Sequence, residues 1–539
     1  MHHMNQRRRP PGPTTHAHHP LMALLLLAML LLSACKPAFL DPPRLATASA
    51  MAATPRPAGT TAPERGTPLV LPAPTPTGGP QVTPPPPAGG TTNPTLTFWA
   101  NQTTPEEAIV LQQIVDNFTA AHNIDVELFL VEPELLPDLM QTAVVSDDIA
   151  LPDILLLPLE YTVGWAEAGI LDPVPAGQVV ASLDPATFDP VALDLVQVEG
   201  GPAAVPSDGW QQLLIYRQDW FDQRNLAPPL DFTSMITAGQ TISDRLALRS
   251  GFVIPTESSL VATSRVFEQM AIANGCQLID EKGELLILEP ACQDALEFYR
   301  LLCNSYCPPG VQTEVSARNA YLNGRTGMIM APPSILPQIA GLDPAASPNC
   351  PDCTTTDYLA RNAGIVTRIT GRGPAASAEN LGNLTYLGVT TAANSEAATA
   401  FLQYWYNEAY LDWLAVNPEM KVPMRLGTPE NPSQFRDAWF DLPMTPGGPT
   451  VSDVYGAETA AQLATGVANP NRWGFTQGHG ALITDVYQDL MLSILLQELL
   501  SGYYDSSRAA IEGYKRLVDL IPNYAYYVEP EATATPFRP

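Results

Sequence analysis

Alternating strand and helix patterns between residues 95 and 169 constrain the fold of this 539-residue chain more than any other feature. Residues 95–100 alternate between apolar and polar side chains, and residues 124–131 show a second strand pattern. Residues 154–157 are an unbroken apolar run between two prolines, which is typical of a parallel strand covered on both faces. Strands that alternate with helices predict a doubly wound α/β lobe.

Helix signals occupy the gaps between these strands. Thr104 begins a capping box, and Pro105 takes the first helical position. Val110, Ile114 and Phe118 then place an apolar stripe on one face of the helix. A second helix pattern separates the second strand from the third, so the order strand, helix, strand, helix, strand is complete.

Six segments of the chain together resemble a known family. They are residues 95–131, 151–174, 204–229, 321–330, 390–415 and 499–523. In this order they resemble the extracellular solute-binding proteins of bacterial ABC transporters, family 1, the sugar-binding type. The second segment, LPDILLLPLEYTVGWAEAGILDPV, is similar to the family's passage of Pro-Asp, buried strand and helix. The fourth, YLNGRTGMIM, is similar to its strand that follows a glycine. The chain departs from the family at Tyr216-Arg217, where many relatives carry Tyr-Asn, and in the cysteine-bearing insert at residues 347–356.

The resemblance implies an α/β, two-lobed periplasmic-binding-protein-like fold of type II. Each lobe would have a mostly parallel sheet flanked by helices, and extra helices would follow at the C-terminus. The implied N-terminal lobe is residues 95–205 plus about 370–425, the C-terminal lobe is 206–369 plus about 426–528, and 529–539 is a flexible tail. The expected crossings between the lobes lie near residues 204–207, 364–370 and 425–427. A ligand that contacts both lobes only in the closed state would drive closure.

An export signal precedes the folded part. Basic residues 7–9 come before the apolar run 21–32, and Leu-Ser-Ala-Cys ends at Cys35. This pattern resembles a bacterial lipobox, so residues 1–35 are predicted to be a lipoprotein signal peptide, with Cys35 the lipid attachment site. The alternatives are an ordinary signal peptide or a membrane span, and the run is shorter than the roughly 20 residues that a span needs. Residues 36–94, rich in Pro and Thr, are predicted to be a disordered tether.

Charge and missing motifs exclude several classes of function. The net charge of −28 argues against nucleic-acid binding, because phosphate contacts need clustered Lys and Arg. Outside the leader only His122 and His479 remain, and HExxH, GxSxG and GxxxxGK[ST] motifs are absent. We therefore predict no catalytic residue, no metal and no cofactor. A surface glycoside hydrolase stays open, since it needs only two acids, and Glu160 and Asp208 are the first pair to consider.

The cysteines suggest disulfides in an oxidising compartment. Six cysteines remain besides Cys35, and proximity in sequence favours the pairs Cys276–Cys292, Cys303–Cys307 and Cys350–Cys353. A zinc site formed by the last two pairs is the alternative.

Polar and aromatic residues that follow the predicted strands form the expected ligand site. Ligands bind parallel sheets beyond the carboxyl ends of their strands. The expected ligand-binding residues are Trp99, Asn101, Glu160, Tyr161, Asp208, Trp210, Ser334, Tyr386, Arg425 and Trp473. Aromatic faces that stack on sugar CH groups, beside groups that hydrogen-bond hydroxyls, suit a carbohydrate. Core or hinge packing is the alternative for Trp99 and Tyr161, and a hinge ion pair is the alternative for Arg425.

These features predict a monomeric solute-binding lipoprotein that delivers a sugar or polyol to the permease subunits of an ABC importer. It would be lipid-anchored on the outer face of the plasma membrane, on the periplasmic side if there are two membranes. The alternatives are a surface carboxylate-dependent glycoside hydrolase and a sensory receptor of the same fold that serves no permease.

Overall fold

A computed structural model describes residues 95–101, 104–146, 149–468 and 470–530. The predicted signal peptide with Cys35, the tether and residues 531–539 of the predicted tail lie outside these residues. In the described part the strands are β1 Thr95–Ala100, β2 Asp125–Leu130, β3 Ile154–Pro158, β4 Gln197–Val198, β5 Gly201–Pro202, β6 Val205–Gln211, β7 Leu213–Arg217, β8 Met328–Ala331, β9 Ala363–Val366, β10 Ile369–Thr370, β11 Ala378–Glu379, β12 Gly382–Val389 and β13 Val422–Pro423.

The helices alternate with these strands and then follow them. They are α1 Pro105–His122, α2 Leu136–Val145, α3 Leu159–Glu167, α4 Pro173–Leu183, α5 Pro190–Asp194, α6 Gln218–Arg224, α7 Phe232–Ile242, α8 Val261–Ala273, α9 Pro290–Tyr306, α10 Glu314–Leu322, α11 Ile335–Ile339, α12 Tyr358–Arg361, α13 Ser395–Tyr404, α14 Tyr410–Leu414, α15 Gln434–Trp439, α16 Val451–Tyr455, α17 Ala457–Ala468, α18 Gly480–Gln488, α19 Met491–Leu500 and α20 Ser506–Leu520.

Local sequence signals explain where helix α1 begins and ends. Thr104 caps it by accepting a hydrogen bond of 3.3 Å from the backbone N–H of Glu107. Ile114 and Phe118 of the predicted stripe are buried in the core. The helix ends at Asn123, whose φ of 54° is the left-handed conformation that Asn tolerates.

The larger sheet has the order β13-β6-β12-β3-β1-β2. Strand β1 pairs in parallel with β2 and β3, as predicted, whereas β12 is antiparallel to both β3 and β6. One core lies on the face of Leu96 and Phe98, and the alternate residue Trp99 joins the other core. The predicted α/β class is confirmed.

The smaller sheet has the order β8-β7-β9, and both pairings are antiparallel, unlike the mostly parallel second sheet predicted. The central strand β7 leads the chain out of the larger sheet, and both of its neighbours, β8 and β9, run in the opposite direction. Parallel contact is limited here to isolated bridges such as Val253 with Ile329.

The two sheets are joined at Gln212 and Leu381, which we call the waist. Strand β6 pairs with β12 as far as Gln211, and β7 begins at Leu213, so the chain leaves the larger sheet at Gln212 and not near residues 204–207. The backbone N–H of Gln212 donates a 2.9 Å hydrogen bond to the carbonyl of Leu381, just before β12 begins in the larger sheet. Two chain crossings therefore lie side by side.

Two of the predicted disulfides are present and one is not. Cys276–Cys292 and Cys350–Cys353 are bonded, whereas Cys303 and Cys307 are free thiols. The Cys303–Cys307 prediction was therefore wrong. Residues one helical turn apart hold their Cβ atoms about 5–6 Å apart, and a disulfide needs about 3.5–4.5 Å. The bonded pair Cys350–Cys353 also removes two ligands from the zinc alternative.

Among the described residues, none of the helices combines the length and the apolar character needed to cross a bilayer.

Candidate functional site

A cavity of about 960 Å³ lies against the larger sheet, and its floor is a row of neighbouring strand residues. Thr385 of β12 is in register with Pro158 of β3 on one side and Asp208 of β6 on the other. Asn383 of β12 is in register with Trp210 of β6. Since alternate residues of a strand share a face, Asp208 and Trp210 both line the cavity.

The strand ends predicted to form the site contribute two further lining residues. Asn101 follows β1 and is only 8% exposed, and its Oδ1 has no hydrogen-bond partner among the described residues. Tyr161, at the start of α3 after β3, stacks on Trp165 with ring centroids 5.0 Å apart. Both therefore lie where the strand-end rule places ligand contacts.

The opposite wall comes from elements near the smaller sheet. Arg265 of α8 lies with its guanidinium carbon 5.7 Å from the Trp210 ring centroid. Ser334 follows β8, and its backbone N–H lies 3.2 Å from the sulfur of Met420, on the segment that precedes β13. Arg265 and Ser334 thus approach the cavity from the other side of the waist.

The cavity lining is strongly acidic. Its carboxylates are Glu106, Glu107, Glu134, Asp208, Glu314, Asp343, Asp412 and Glu419. Its cations are Arg265 and Lys421, and both already have a carboxylate partner. Lys421 pairs with Glu107 at 2.5 Å, and Arg265 pairs with Glu160 at 2.8 Å.

Burial raises the pKa of two carboxyls in the cavity lining. Burial raises the pKa of Asp208 to about 6, although Lys421 and hydrogen bonds from Ser207 and Trp413 oppose the shift. Burial also raises the pKa of Glu419 to about 7, and Oε2 of Glu419 has no partner in the described part of the chain. Near neutral pH, both the protonated and the ionised form of these two carboxyls are therefore populated.

An ion cluster lies beneath the cavity. Glu160, at the start of α3, accepts from Arg265 of α8 at 2.8 Å and from Arg472 at 3.1 Å. Burial alone would raise the pKa of Glu160, but the two arginines lower it to about 2. Arg472 also pairs with Glu268 at 3.0 Å, and the side chains of Glu160, Arg472 and Glu268 are all fully buried. This cluster links a helix of the larger sheet to a helix near the smaller one.

Half of the predicted ligand residues line the cavity: Asn101, Tyr161, Asp208, Trp210 and Ser334. The others are buried elsewhere, each with its own contacts. Trp99 packs in the core, and Glu160 is held in the ion cluster. Tyr386 donates to the carbonyl of Ala192 at 2.9 Å, because it alternates with Asn383 and Thr385 of the lining and so lies on the other face of β12.

Arg425 and Trp473 also lie outside the lining. Arg425 donates to the carbonyl of Tyr406 at 2.6 Å, rather than pairing with a carboxylate. Trp473 is 2% exposed and donates to the carbonyl of Cys276 at 2.9 Å, so it does not cover the mouth of the cavity.

Sequence reasoning missed Arg265, Glu419 and Lys421. A signal for Arg265 was present: α8 is largely apolar, and its two charged residues, Arg265 and Glu268, need partners if the helix is buried. Glu419 and Lys421 lie directly before β13, a strand too short to be read from its pattern.

Comparisons with known proteins identify the family of the chain. Residues 113–432, more than half of the chain, match the family described as bacterial extracellular solute-binding protein. The chain belongs to this family. Membership places it on the extracellular or periplasmic side of the membrane, in a family of transport proteins rather than of enzymes.

Individual relatives are distant. The putative ABC transporter periplasmic-binding protein YcjN of Escherichia coli K12 is 24% identical over 46% of this chain, and the match spans only 57% of that protein. A solute-binding protein of Agrobacterium radiobacter K84 in complex with ribitol has a TM-score of 0.60 at 18% identity, covering 79% of this chain and 99% of that one. Maltose-bound MalE3 of T. maritima also reaches 0.60, at 19% identity, with 79% and 100% covered.

A third structure is similar to the same extent. A sugar transporter protein of Arthrobacter chlorophenolicus A6 with bound laminaribiose has a TM-score of 0.60 at 16% identity, covering 79% of this chain and 100% of the other. These structures share the fold of the described residues.

Proposed function

We propose that the chain binds a carbohydrate or polyol in the cavity and delivers it to an ABC importer by closing two lobes on it. One lobe is built on the larger sheet and the other on the smaller sheet, with the boundary at Gln212 and Leu381. The observation that carries the proposal is the cavity itself, because polar and aromatic groups of the larger sheet face Arg265 and Ser334 from beyond the waist.

The lining has the chemistry that sugar recognition needs. The rings of Trp210 and Tyr161 offer apolar faces to sugar CH groups, and Asp208 and Asn101 offer acceptors to hydroxyls. A cavity of about 960 Å³ is at the upper end of the range for small-ligand sites, roughly 300–1,000 Å³. The bound ribitol, maltose and laminaribiose of the similar structures support the same ligand class.

Attachment to the membrane and to a transporter completes the proposal. A lipid on Cys35 and a tether over residues 36–94 would keep a monomeric receptor near the permease subunits, which raises their effective concentration. Replacing Cys35 with Ala is expected to release the protein from the membrane fraction while leaving its ligand binding intact.

The acid pair first considered for the hydrolase alternative, Glu160 and Asp208, does not meet in the cavity. Glu160 is fully buried, is held by two arginines and does not line the cavity, so it cannot act as the general acid opposite Asp208. We therefore propose that the bound sugar leaves chemically unchanged.

Calorimetric titration of the purified full chain with sugars and polyols tests this proposal. The expected result is saturable binding of at least one compound, with the same compound recovered intact. Binding should weaken tenfold or more in Trp210→Ala, because a buried aromatic anchor is worth about 2 kcal/mol or more. Absence of binding across the panel, or cleavage of a glycoside, would contradict it. Uptake of the ligand by cells then separates an importer subunit from a sensory receptor.

A further inference from the structure

We infer that the ligand is a saccharide that carries a protonated amine, an amino sugar in chemical class. The inference rests on the proposed function, since it names the kind of sugar that the same cavity takes. Its basis is an excess of unpaired negative charge in the lining, together with buried acceptor atoms that have no donor.

The charge imbalance of the cavity exceeds that of the whole chain. The full sequence has 55 acidic residues and 27 Lys and Arg, a ratio near two to one. The lining has eight carboxylates and two cations, a ratio of four to one. Lys421 is paired with Glu107, and Arg265 is paired with Glu160, which lies outside the lining. Seven lining carboxylates therefore have no ion pair within the described residues.

Two buried acceptors in the lining point to a donor that the chain does not supply. Glu419 is 2% exposed, and its Oε2 is without a hydrogen-bond partner in the described residues. Asn101 is 8% exposed, and its Oδ1 is likewise without one. A buried acceptor left unpaired costs roughly 1–3 kcal/mol, and more when it is charged. An ammonium group provides three donors and a charge, so it satisfies such acceptors better than a hydroxyl does.

Asp208 is placed to share the same ligand. Both hydrogen bonds that its carboxylate accepts, from Ser207 and Trp413, go to Oδ2 at 2.7 Å. Its Oδ1 is thus left for another donor on the cavity floor. The neighbouring ring of Trp210 can hold either a sugar face or a cation.

The spacing of the acids argues against a metal ion as the missing cation. No three His, Cys, Asp or Glu side chains within the described residues are close enough to hold one metal ion. Dispersed carboxylates suit a larger organic cation whose hydroxyl groups spread over the lining. An acidic or sulfated sugar would instead meet like charge, and the two cations of the lining are already paired with carboxylates.

Matched sugars that differ in one substituent test the inference. Calorimetry on the full chain would compare glucose, galactose and cellobiose with their 2-amino forms and with their N-acetylated forms, and spermidine would serve as a cation without a ring. For the sugar that binds best of the three, the 2-amino form should bind about tenfold tighter, or more, than the parent sugar and the N-acetylated form. The reason is that a charged hydrogen bond is worth about 1.5–3 kcal/mol. The advantage should shrink as salt is raised, because ions screen the attraction.

The possible failures are distinguishable. A neutral form that binds as tightly as its amine overturns the inference and leaves the proposed function standing. Spermidine binding above every sugar, or no sugar binding at all, overturns both.

Variants locate the effect at the predicted atoms. Glu419→Gln keeps the shape and removes the charge, so the ratio of amine affinity to hydroxyl affinity should fall about tenfold. Glu134→Gln, at the exposed rim of the lining, is the second variant if the first does not fold, and its ratio should fall by less than that. Glu281→Gln, exposed and outside the lining, is the matched control and should keep the ratio. An unchanged ratio in the folded lining variants would overturn the assignment.

Discussion

Glu419 makes the stability of the ligand-free protein depend on pH. Its pKa of about 7 exceeds the ordinary glutamate value of 4.5 because the group is buried, although Lys421 opposes the shift and Glu107 adds to it. Burial raises the pKa of Tyr455 well above its ordinary value, and the charge of Glu419 adds to that shift. The folded state holds this proton more tightly than the unfolded chain, so the contribution is complete below pH 4.5 and is lost as pH rises through 7. We expect the free energy of unfolding to fall by about 3 kcal/mol from this group between those limits.

Urea unfolding at a series of pH values checks this expectation. Glu419→Gln should lose most of the fall and keep a smaller one below pH 7, because burial also raises the pKa of Asp208, to about 6. Glu281→Gln, which is exposed, should behave like the unchanged chain. The same pH dependence in Glu419→Gln and in the unchanged chain would disprove the assignment.

The ion pair between Lys421 and Glu107 is a second test at the residue scale. The two side chains are 3% and 5% exposed, so Lys421→Met leaves a buried carboxylate unpaired. Such a loss costs about 3–5 kcal/mol, and Glu107→Gln in the same chain should recover much of it. Denaturant titration measures both. The surface pair Lys515–Glu512 is the control, since Lys515→Met should cost less than about 1 kcal/mol. Equal costs for the two lysine variants would contradict the argument.

Side-chain direction explains which site residues could be predicted. Asp208 and Trp210 were predicted from the expected crossing between the lobes, and Asn101 and Tyr161 from the rule on strand ends; all four line the cavity. Tyr386 was predicted to contact the ligand but does not line the cavity, because the sequence does not show which face of β12 borders the cavity, and Thr385 takes that face. Glu160 and Tyr161 are adjacent on α3, but their side chains point in different directions. Glu160 points toward the arginines of the ion cluster, whereas Tyr161 lines the cavity.

At the scale of elements, α9 makes a prediction about cysteine chemistry. Cys303 is buried in the helix, and Cys307 is half-buried at its end. Burial raises the pKa of the Cys303 thiol well above its ordinary value, and contact with Cys307 adds to the shift. Alkylation of the native chain should therefore modify Cys307 first and Cys303 only after unfolding, as peptide mapping can show.

The four bonded cysteines provide the internal comparison. Cys276, Cys292, Cys350 and Cys353 should react only after reduction. In Cys307→Ser the early reaction on this helix should disappear. A non-reduced peptide with Cys303 and Cys307 that is two hydrogens lighter than the dithiol form would show that the pair is oxidised.

Elements with strong periodicity were predictable, and pairings between distant segments were not. The capped helix α1 and the buried strand β3 follow from local sequence alone. Strand β6 includes Ser207, Asp208, Gly209 and Gln211, which resemble a loop, yet it is buried throughout because β12 and β13 pair with it on both sides. Because of this pairing, the chain leaves the larger sheet at Gln212, whereas residues 204–207 were predicted.

At the scale of the whole molecule, ligand binding should bring the two lobes together about the waist. Spin labels at Leu135→Cys and Val315→Cys, both about half exposed and each beside a glutamate of the lining, report across the mouth of the cavity. Labels at Leu135→Cys and Val174→Cys lie in the one lobe that we assign to the larger sheet, and Cys307→Ser removes the reactive native thiol. Pulsed electron resonance should show the first distance shorten or narrow when the best-binding sugar is added, while the second stays constant. A ligand gains nothing from closure unless it binds the closed form more tightly, so the shift should follow the occupancy measured by calorimetry. Saturation with no change in the first distance would mean that the cavity fills without lobe motion, and delivery by closure would have to be abandoned.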